Sequence, residues 1–177
     1  MFSTKKNIPM SSQHKNLSEF SAYDLIDISD KKFAIVVAEW NTEITEALFT
    51  GAYNTLTKYG AKPENIQRGN VPGSFELSLG ANWYAQRSHV DAVIALGCVI
   101  QGETRHFDFI CDAVANGITK VGLETNKPII FGVLTTDTQQ QAHERAGGKH
   151  GNKGDEAAIT AIKMLGLRHN IIGDAPF

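Results

Sequence analysis

Residues 91–107 read DAVIALGCVIQGETRHF. The first half, Asp91 to Gly97, is a continuous apolar run and not an alternating one. That pattern is expected of a strand covered on both faces of a parallel sheet. The second half turns polar, passes Gly102, and leads into a helical pattern that starts at His106. A strand, a loop and a helix in that order make one unit of a β-α-β chain. Ligands in such folds bind beyond the carboxyl ends of the strands, so this loop is the first place to look for chemistry.

Similar units lie on either side. Phe33–Ala38 (FAIVVA) and Pro128–Leu134 (PIIFGVL) are two more continuous runs, and Asn65–Val71 (NIQRGNV) is a weaker strand candidate. Between them, Ile44, Ala47, Leu48, Gly51, Ala52, Leu56 and Tyr59 follow one helical stripe that Gly60 can stop. Asn41 or Thr42 can cap its start. Further helices are expected over Ser74–Gln86, His106–Val121, Thr138–Ala146 and Asp155–Leu165. The alternation predicts an α/β fold of three layers, α/β/α, on a four-stranded parallel sheet with right-handed crossovers. Residues 1–20 read as a flexible N-terminal tail and 21–177 as one domain, since 177 residues suit about one domain.

Composition narrows the function classes. The net charge of −2 leaves no basic surface for a nucleic-acid scaffold. The longest stretch without a polar residue, Ala92–Ile100, is nine residues, far short of the ~20 needed to span a membrane. MFSTKKNIPMSSQHKN at the start has no apolar core of a secretory signal. Cys98 and Cys111 form no C-x-x-C and no zinc-type pair. A cytoplasmic, reduced protein without metal is the expectation.

The strand ends carry the informative residues. Glu39-Trp40-Asn41 follows the first, and an indole there can stack on a planar heterocycle or pack over the core edge. Val71-Pro72-Gly73-Ser74-Phe75-Glu76 follows the second. Pro-Gly forces a turn, a new helix offers free N–H groups, and Glu76 either receives hydrogen bonds from a polyol or amine or favours the helix dipole. After the third strand, Thr104 offers a hydroxyl beside a helix start, a plausible phosphate seat. His106, in the first helical turn, suits proton transfer near neutral pH, although a lone histidine is more often structural. Thr135-Thr136-Asp137 closes the fourth strand. RAGGKHGNKG (145–154) interleaves glycines with Arg145, Lys149 and Lys153, either as an anion-binding loop or as a solvated one. It is not a Walker A loop. Arg145 could grip a phosphate through two parallel hydrogen bonds. Together these groups suit a planar ring with a hydroxylated chain meeting a small phosphorylated partner.

Five stretches in order, IVVAEWN (35–41), NVPGSFE (70–76), DAVIALGCVIQGETRHF (91–107), IIFGVLTTDT (129–138) and HERAGGKHGNKGDEAA (143–158), resemble the 6,7-dimethyl-8-ribityllumazine synthase family. The resemblance covers Phe33 to Leu167. It implies a flavodoxin-like topology and a transferase of riboflavin biosynthesis. That activity condenses 5-amino-6-(D-ribitylamino)uracil with 3,4-dihydroxy-2-butanone 4-phosphate, without cofactor or metal. By resemblance Trp40 falls where the family places an aromatic against the pyrimidine ring, with Asn41 beside it as a further substrate-binding residue. Ser74, Phe75 and Glu76 match the segment holding the ribityl chain. Cys98, Val99 and Ile100 match the strand end lining the ring. Glu103, Thr104 and Arg145 match phosphate-site positions, and His106 the proton-transfer residue. Phe131 matches an aromatic that reaches the site from the adjacent subunit, and Lys153 with Glu156 a charged pair near it.

The chain departs from the commoner family pattern at three of these places. Trp40 stands for phenylalanine, Cys98 for threonine, and Arg105 for a small or uncharged residue. The resemblance further implies a homo-oligomer, a pentamer with sites between neighbours. Arg145–Gly154 looks uninserted, which favours assembly of pentamers into a 60-subunit icosahedral shell. Association with riboflavin synthase, and an N-terminal segment adding to a neighbouring subunit, belong to the same expectation. Two rival readings stand beside it: a catalytically weak lumazine- or flavin-binding protein, and a structural shell protein. A phospho-receiver does not fit, because Gly97-Cys98 and Glu39-Trp40 stand where its aspartates belong.

Overall fold

The computed structural model describes residues 26–173. The expected tail at 1–20 and the pairing expected of the N-terminal segment lie outside the described residues. Strands β1 (Phe33–Ala38), β2 (Ile66–Val71), β3 (Ala92–Ile100) and β4 (Ile129–Thr136) form a four-stranded sheet in the order β2-β1-β3-β4. All three pairings are parallel. Helices α1 (Thr42–Lys58), α2 (Leu77–Ala85), α3 (His106–Thr125), α4 (Gln139–Glu144) and α5 (Lys153–Ile172) follow the strands. The α/β three-layer expectation is met.

Successive residues of a strand face opposite sides of the sheet, so a strand covered on both sides must be apolar throughout. β1 is buried at every position. Its Phe33, Ile35 and Val37 join Ile94 and Leu96 of β3 under α1 and α5. Its Ala34 and Val36 join Val93 and Ala95 under α2 and α3. The sheet therefore separates two apolar cores, with each helix pair sealing one.

β2, at one edge of the sheet, is the weak strand candidate because Gln67, Arg68 and Asn70 are polar. Its outward Arg68 forms a two-pronged ion pair with Glu46 of α1 and lies 4.3 Å over the Phe49 ring. Charge on an edge also discourages pairing with another chain.

At the amino end of the sheet, side chains bind the strand starts together. Asp91 Oδ2 accepts from the Lys32 amide at 2.7 Å. The buried Lys127 ammonium donates to the carbonyls of Arg87 (2.8 Å) and Val90 (2.7 Å). Burial lowers its proton affinity, partly offset by Asp91.

α1 and α5 meet at an unusually close seam. A Cβ on Gly154 would overlap the Leu48 carbonyl, and one on Gly51 would lie 2.6 Å from Asp155 Oδ1. Asn152 caps α5 by accepting from the Gly154 amide (2.8 Å) and donates to the Ala47 carbonyl (2.9 Å).

Several local expectations are corrected. Residues 145–154 are not an open loop: β5 (Ala146–Gly148) and β6 (Gly151–Asn152) pair antiparallel, with left-handed Gly147 and Gly151 making the turn. The final helix begins earlier and runs to Ile172, since Gly166 is tolerated within it. Residues Ser74–Glu76 form a 3₁₀ turn, and α2 starts at Leu77. Asn41 precedes α1 but caps it with no side-chain bond.

Candidate functional site

A cavity of about 700 Å³ opens beyond the carboxyl ends of β1 and β3. This is where the fold changes direction, because β1 leads to α1 on one face and β3 leads to α3 on the other. Such a switch point leaves a crevice between diverging loops.

Each wall comes from a short local structure. From the end of β1, Trp40 stands 73% exposed with its amide donating to the Pro72 carbonyl at 3.2 Å. Beside it, Asn41 Nδ2 donates to the Cys98 carbonyl at 2.9 Å. After β2, the turn at Gly73 presents Ser74, Phe75 and Glu76. A Cβ on Gly73 would lie 3.2 Å from Glu76 Oε2 and 3.4 Å from Trp40 Cδ1. Glycine there lets both side chains close on the loop. Phe75 is 56% exposed, an apolar surface facing solvent at the cavity. Ser74 is buried, and its Oγ has no protein partner among the described residues. It lies against Gly97 of β3, where a Cβ would come within 2.6 Å.

The end of β3 contributes Cys98, Val99 and Ile100. Burial pushes the Cys98 thiol up to about 11, so it stays protonated at neutral pH. The first turn of α3 supplies His106, whose amide donates to Thr104 Oγ1 at 3.4 Å. Nine of the expected residues thus meet in one cavity: Trp40, Asn41, Ser74, Phe75, Glu76, Cys98, Val99, Ile100 and His106. Gly73 and Ile110 line it as well. Ile110 stands four residues after His106, hence on the same helix face, and that spacing was a usable signal.

The remaining expected residues lie elsewhere. Glu103 and Thr104 are exposed on the loop beside the cavity and do not line it. Arg145, between α4 and β5, is half-buried and donates from Nη1 to the Gln141 carbonyl at 3.1 Å. Phe131 and Lys153 line a second, largely apolar groove of about 740 Å³ between α3, β4 and α5. Lys153 Nζ pairs with Glu156 Oε2 at 2.8 Å in that groove. No residue lines both hollows. Arg105 is exposed, 3.8 Å from Asp108 and over the Phe109 ring. Among the described residues, no group of three His, Cys, Asp or Glu side chains could hold a metal ion, and no helix is long and apolar enough to cross a membrane.

A family model described as 6,7-dimethyl-8-ribityllumazine synthase matches residues 30–169. A protein of that name from Cytophaga hutchinsonii is 67% identical over 156 residues, 88% of this chain and 98% of its own length. One from Parabacteroides distasonis is 56% identical over 156 residues, with the same two coverages. One from Flavobacterium johnsoniae is 49% identical over 168 residues, 95% of this chain and 88% of its own.

Proposed function

The chain belongs to the 6,7-dimethyl-8-ribityllumazine synthase family, enzymes of riboflavin biosynthesis, and we propose that it condenses 5-amino-6-(D-ribitylamino)uracil with 3,4-dihydroxy-2-butanone 4-phosphate. The products are 6,7-dimethyl-8-ribityllumazine, inorganic phosphate and two waters. The observation that carries this reading is the single cavity in which nine of the expected residues meet at the switch point.

The cavity suits the first substrate in parts. Trp40 and Ile100 offer an aromatic plate and an apolar wall for the pyrimidine. Glu76 and the partnerless Ser74 hydroxyl offer polar contacts to the ribityl hydroxyls. A buried hydroxyl left unpaired costs about 1–3 kcal/mol, which a ligand hydroxyl relieves. Thr104 and Arg145, with the backbone N–H of Glu103, are assigned to the phosphate of the second substrate. A guanidinium is the side chain best matched to it.

The chemistry asks for proton movement and closeness. The 5-amino group attacks the ketone, and loss of water gives an imine. Elimination then expels phosphate, and the ribitylamino nitrogen closes the second ring with loss of another water. His106 at the cavity wall is assigned to carry protons between these steps. Holding two reactants side by side supplies much of the acceleration, and general acid–base help adds about 10²–10⁴-fold.

Phe131 and Lys153 cannot complete this cavity from within the same chain, because they line a separate groove. We therefore assign them to the cavity of a neighbouring copy. On this reading the protein is a cytoplasmic homo-oligomer, a pentamer that assembles to a 60-subunit shell and can associate with riboflavin synthase. The compactness of the β5–β6 hairpin supports that assembly. Residues 21–177 are read as the single domain of each subunit.

Mixing both substrates with the protein and following lumazine fluorescence tests the reaction. Product formation above the uncatalysed background is expected. Ligand binding without product would instead favour the binding-protein reading. A light-scattering mass near that of one pentamer would defeat the shell.

A further inference from the structure

We propose that Asn41 is a positioning residue: its amide bridge to the Cys98 carbonyl fixes the backbone that carries Trp40 over the cavity. The activity arm of this inference rests on the reaction proposed above; its spectroscopic arm does not.

Asn41 occupies the left-handed region, with φ 58° and ψ 47°. Among the described residues, Asn126 at the end of α3 is the other non-glycine with positive φ. Asparagine tolerates this region better than most side chains. The sharp bend lets the chain leave β1 and start α1 at once. The Asn41 carbonyl accepts from the amides of Ile44 (2.9 Å) and Thr45 (3.1 Å), which opens the helix. The side chain meanwhile turns to the other strand, and Nδ2 reaches the Cys98 carbonyl at 2.9 Å.

That contact spans a gap which the sheet itself does not close. The β1–β3 ladder ends at Val37 and Leu96, and beyond it the two strands part to make room for the cavity. Asn41 therefore ties the end of β1, the start of α1 and the end of β3 to one another across the opening. Trp40 gains from this directly. Its indole is largely exposed, so packing does little to hold it. Its backbone is pinned instead, on the β2 side by the bond to Pro72 and on the β3 side by the next residue's bridge. The donor of Asn41 that faces Cys98 is committed to the protein. Asn41 thus serves the ring site through Trp40 and the strand end.

Two substitutions separate this role from a direct contact. Asn41→Gly keeps the left-handed backbone without strain and removes the bridge. Asn41→Asp keeps the size, the backbone tolerance and an acceptor oxygen, but sets a carboxylate against the Cys98 carbonyl. Time-resolved fluorescence anisotropy of Trp40 in substrate-free protein reads the bridge, with Trp83→Phe in the background because Trp83 is the chain's other indole. The fast component is expected to grow in the Gly variant and to grow further in the Asp variant. In steady-state kinetics, kcat/KM for the pyrimidine substrate is expected to fall about tenfold in Asn41→Gly, the scale of one hydrogen bond. A larger fall is expected in Asn41→Asp, while KM for the butanone phosphate stays unchanged in the Gly variant. Unchanged anisotropy in both variants overturns the proposal. So does an Asp variant that matches or exceeds the Gly variant, since that would show Asn41 acting through its acceptor oxygen on substrate. A wild-type protein that makes no lumazine would sink the reaction and leave the anisotropy to decide the bridge.

Discussion

Replacing Gly154 by alanine probes how the last helix is seated. The new methyl group would overlap the Leu48 carbonyl in the backbone of α1. A flexible side-chain tip could rotate away, but a carbonyl inside a helix cannot. To regain van der Waals distance α5 must retreat by on the order of an ångström. Overpacking of this kind costs about 3 kcal/mol at the upper end of its usual range. The retreat also breaks the Asn152–Ala47 hydrogen bond, about 1 kcal/mol. Alanine returns about 1 kcal/mol through helix propensity. The net loss is therefore about 3 kcal/mol. With a urea slope of about 2 kcal/mol per molar, the unfolding midpoint should fall by about 1.5 M. Gly51→Ala is the comparison, because its methyl meets side-chain atoms of Asp155 and Asn152 rather than backbone. Those side chains can rotate at the expense of the hydrogen bonds to Thr55, Ala47 and Gly154, so it should cost less than Gly154→Ala. An unfolding midpoint for Gly154→Ala that is unchanged or raised would refute the seam as a close-contact interface.

Three further outcomes can be measured on the same protein. His106→Ala should lower turnover about 10²-fold while leaving detectable lumazine formation, because positioning persists without the imidazole; unchanged steady-state turnover would remove His106 from the mechanism. Arg145→Ala should raise the KM for the butanone phosphate about tenfold or more, the scale of a lost hydrogen bond to a charged group, with a smaller effect on the pyrimidine; an unaltered concentration dependence would count against that assignment. In a Cys111→Ser background, Cys98 should resist iodoacetamide at pH 8, because a thiol titrating at about 11 is about one part in a thousand thiolate there; rapid alkylation at pH 8 would show that burial does not protect it.

Much of this architecture was legible in the chain because burial leaves a plain mark. β1, β3 and β4 are continuous apolar runs, and the stripe of α1 ends at left-handed Gly60 as its position suggested. β2 is faint because it carries polar side chains on both sides of the sheet, Gln67 on one and Arg68 with Asn70 on the other. The β5–β6 hairpin looks like a loop in sequence, because glycine and lysine show neither period 2 nor period 3.6. Its pairing depends on left-handed glycines and on α5 starting at Lys153. The cavity was largely anticipated from strand-end logic. What the sequence could not display was the division of labour at Asn41. A capping role is local and readable, whereas a bridge to Cys98 joins residues 57 positions apart.

The stapled amino end of the sheet has an evolutionary consequence. Lys127 and Asp91 lock the starts of β1, β3 and β4 at the edge farthest from the cavity. The residues that keep the frame assembled are thus different residues from those that line the cavity. Exchanges at exposed cavity positions such as Trp40 and Phe75 disturb neither apolar core. A lineage can therefore try new aromatics around the cavity while its frame stays put. The exposed indole at position 40 is the kind of drift such a frame permits, whereas the buried thiol at position 98 belongs to the core beneath α1 and α5.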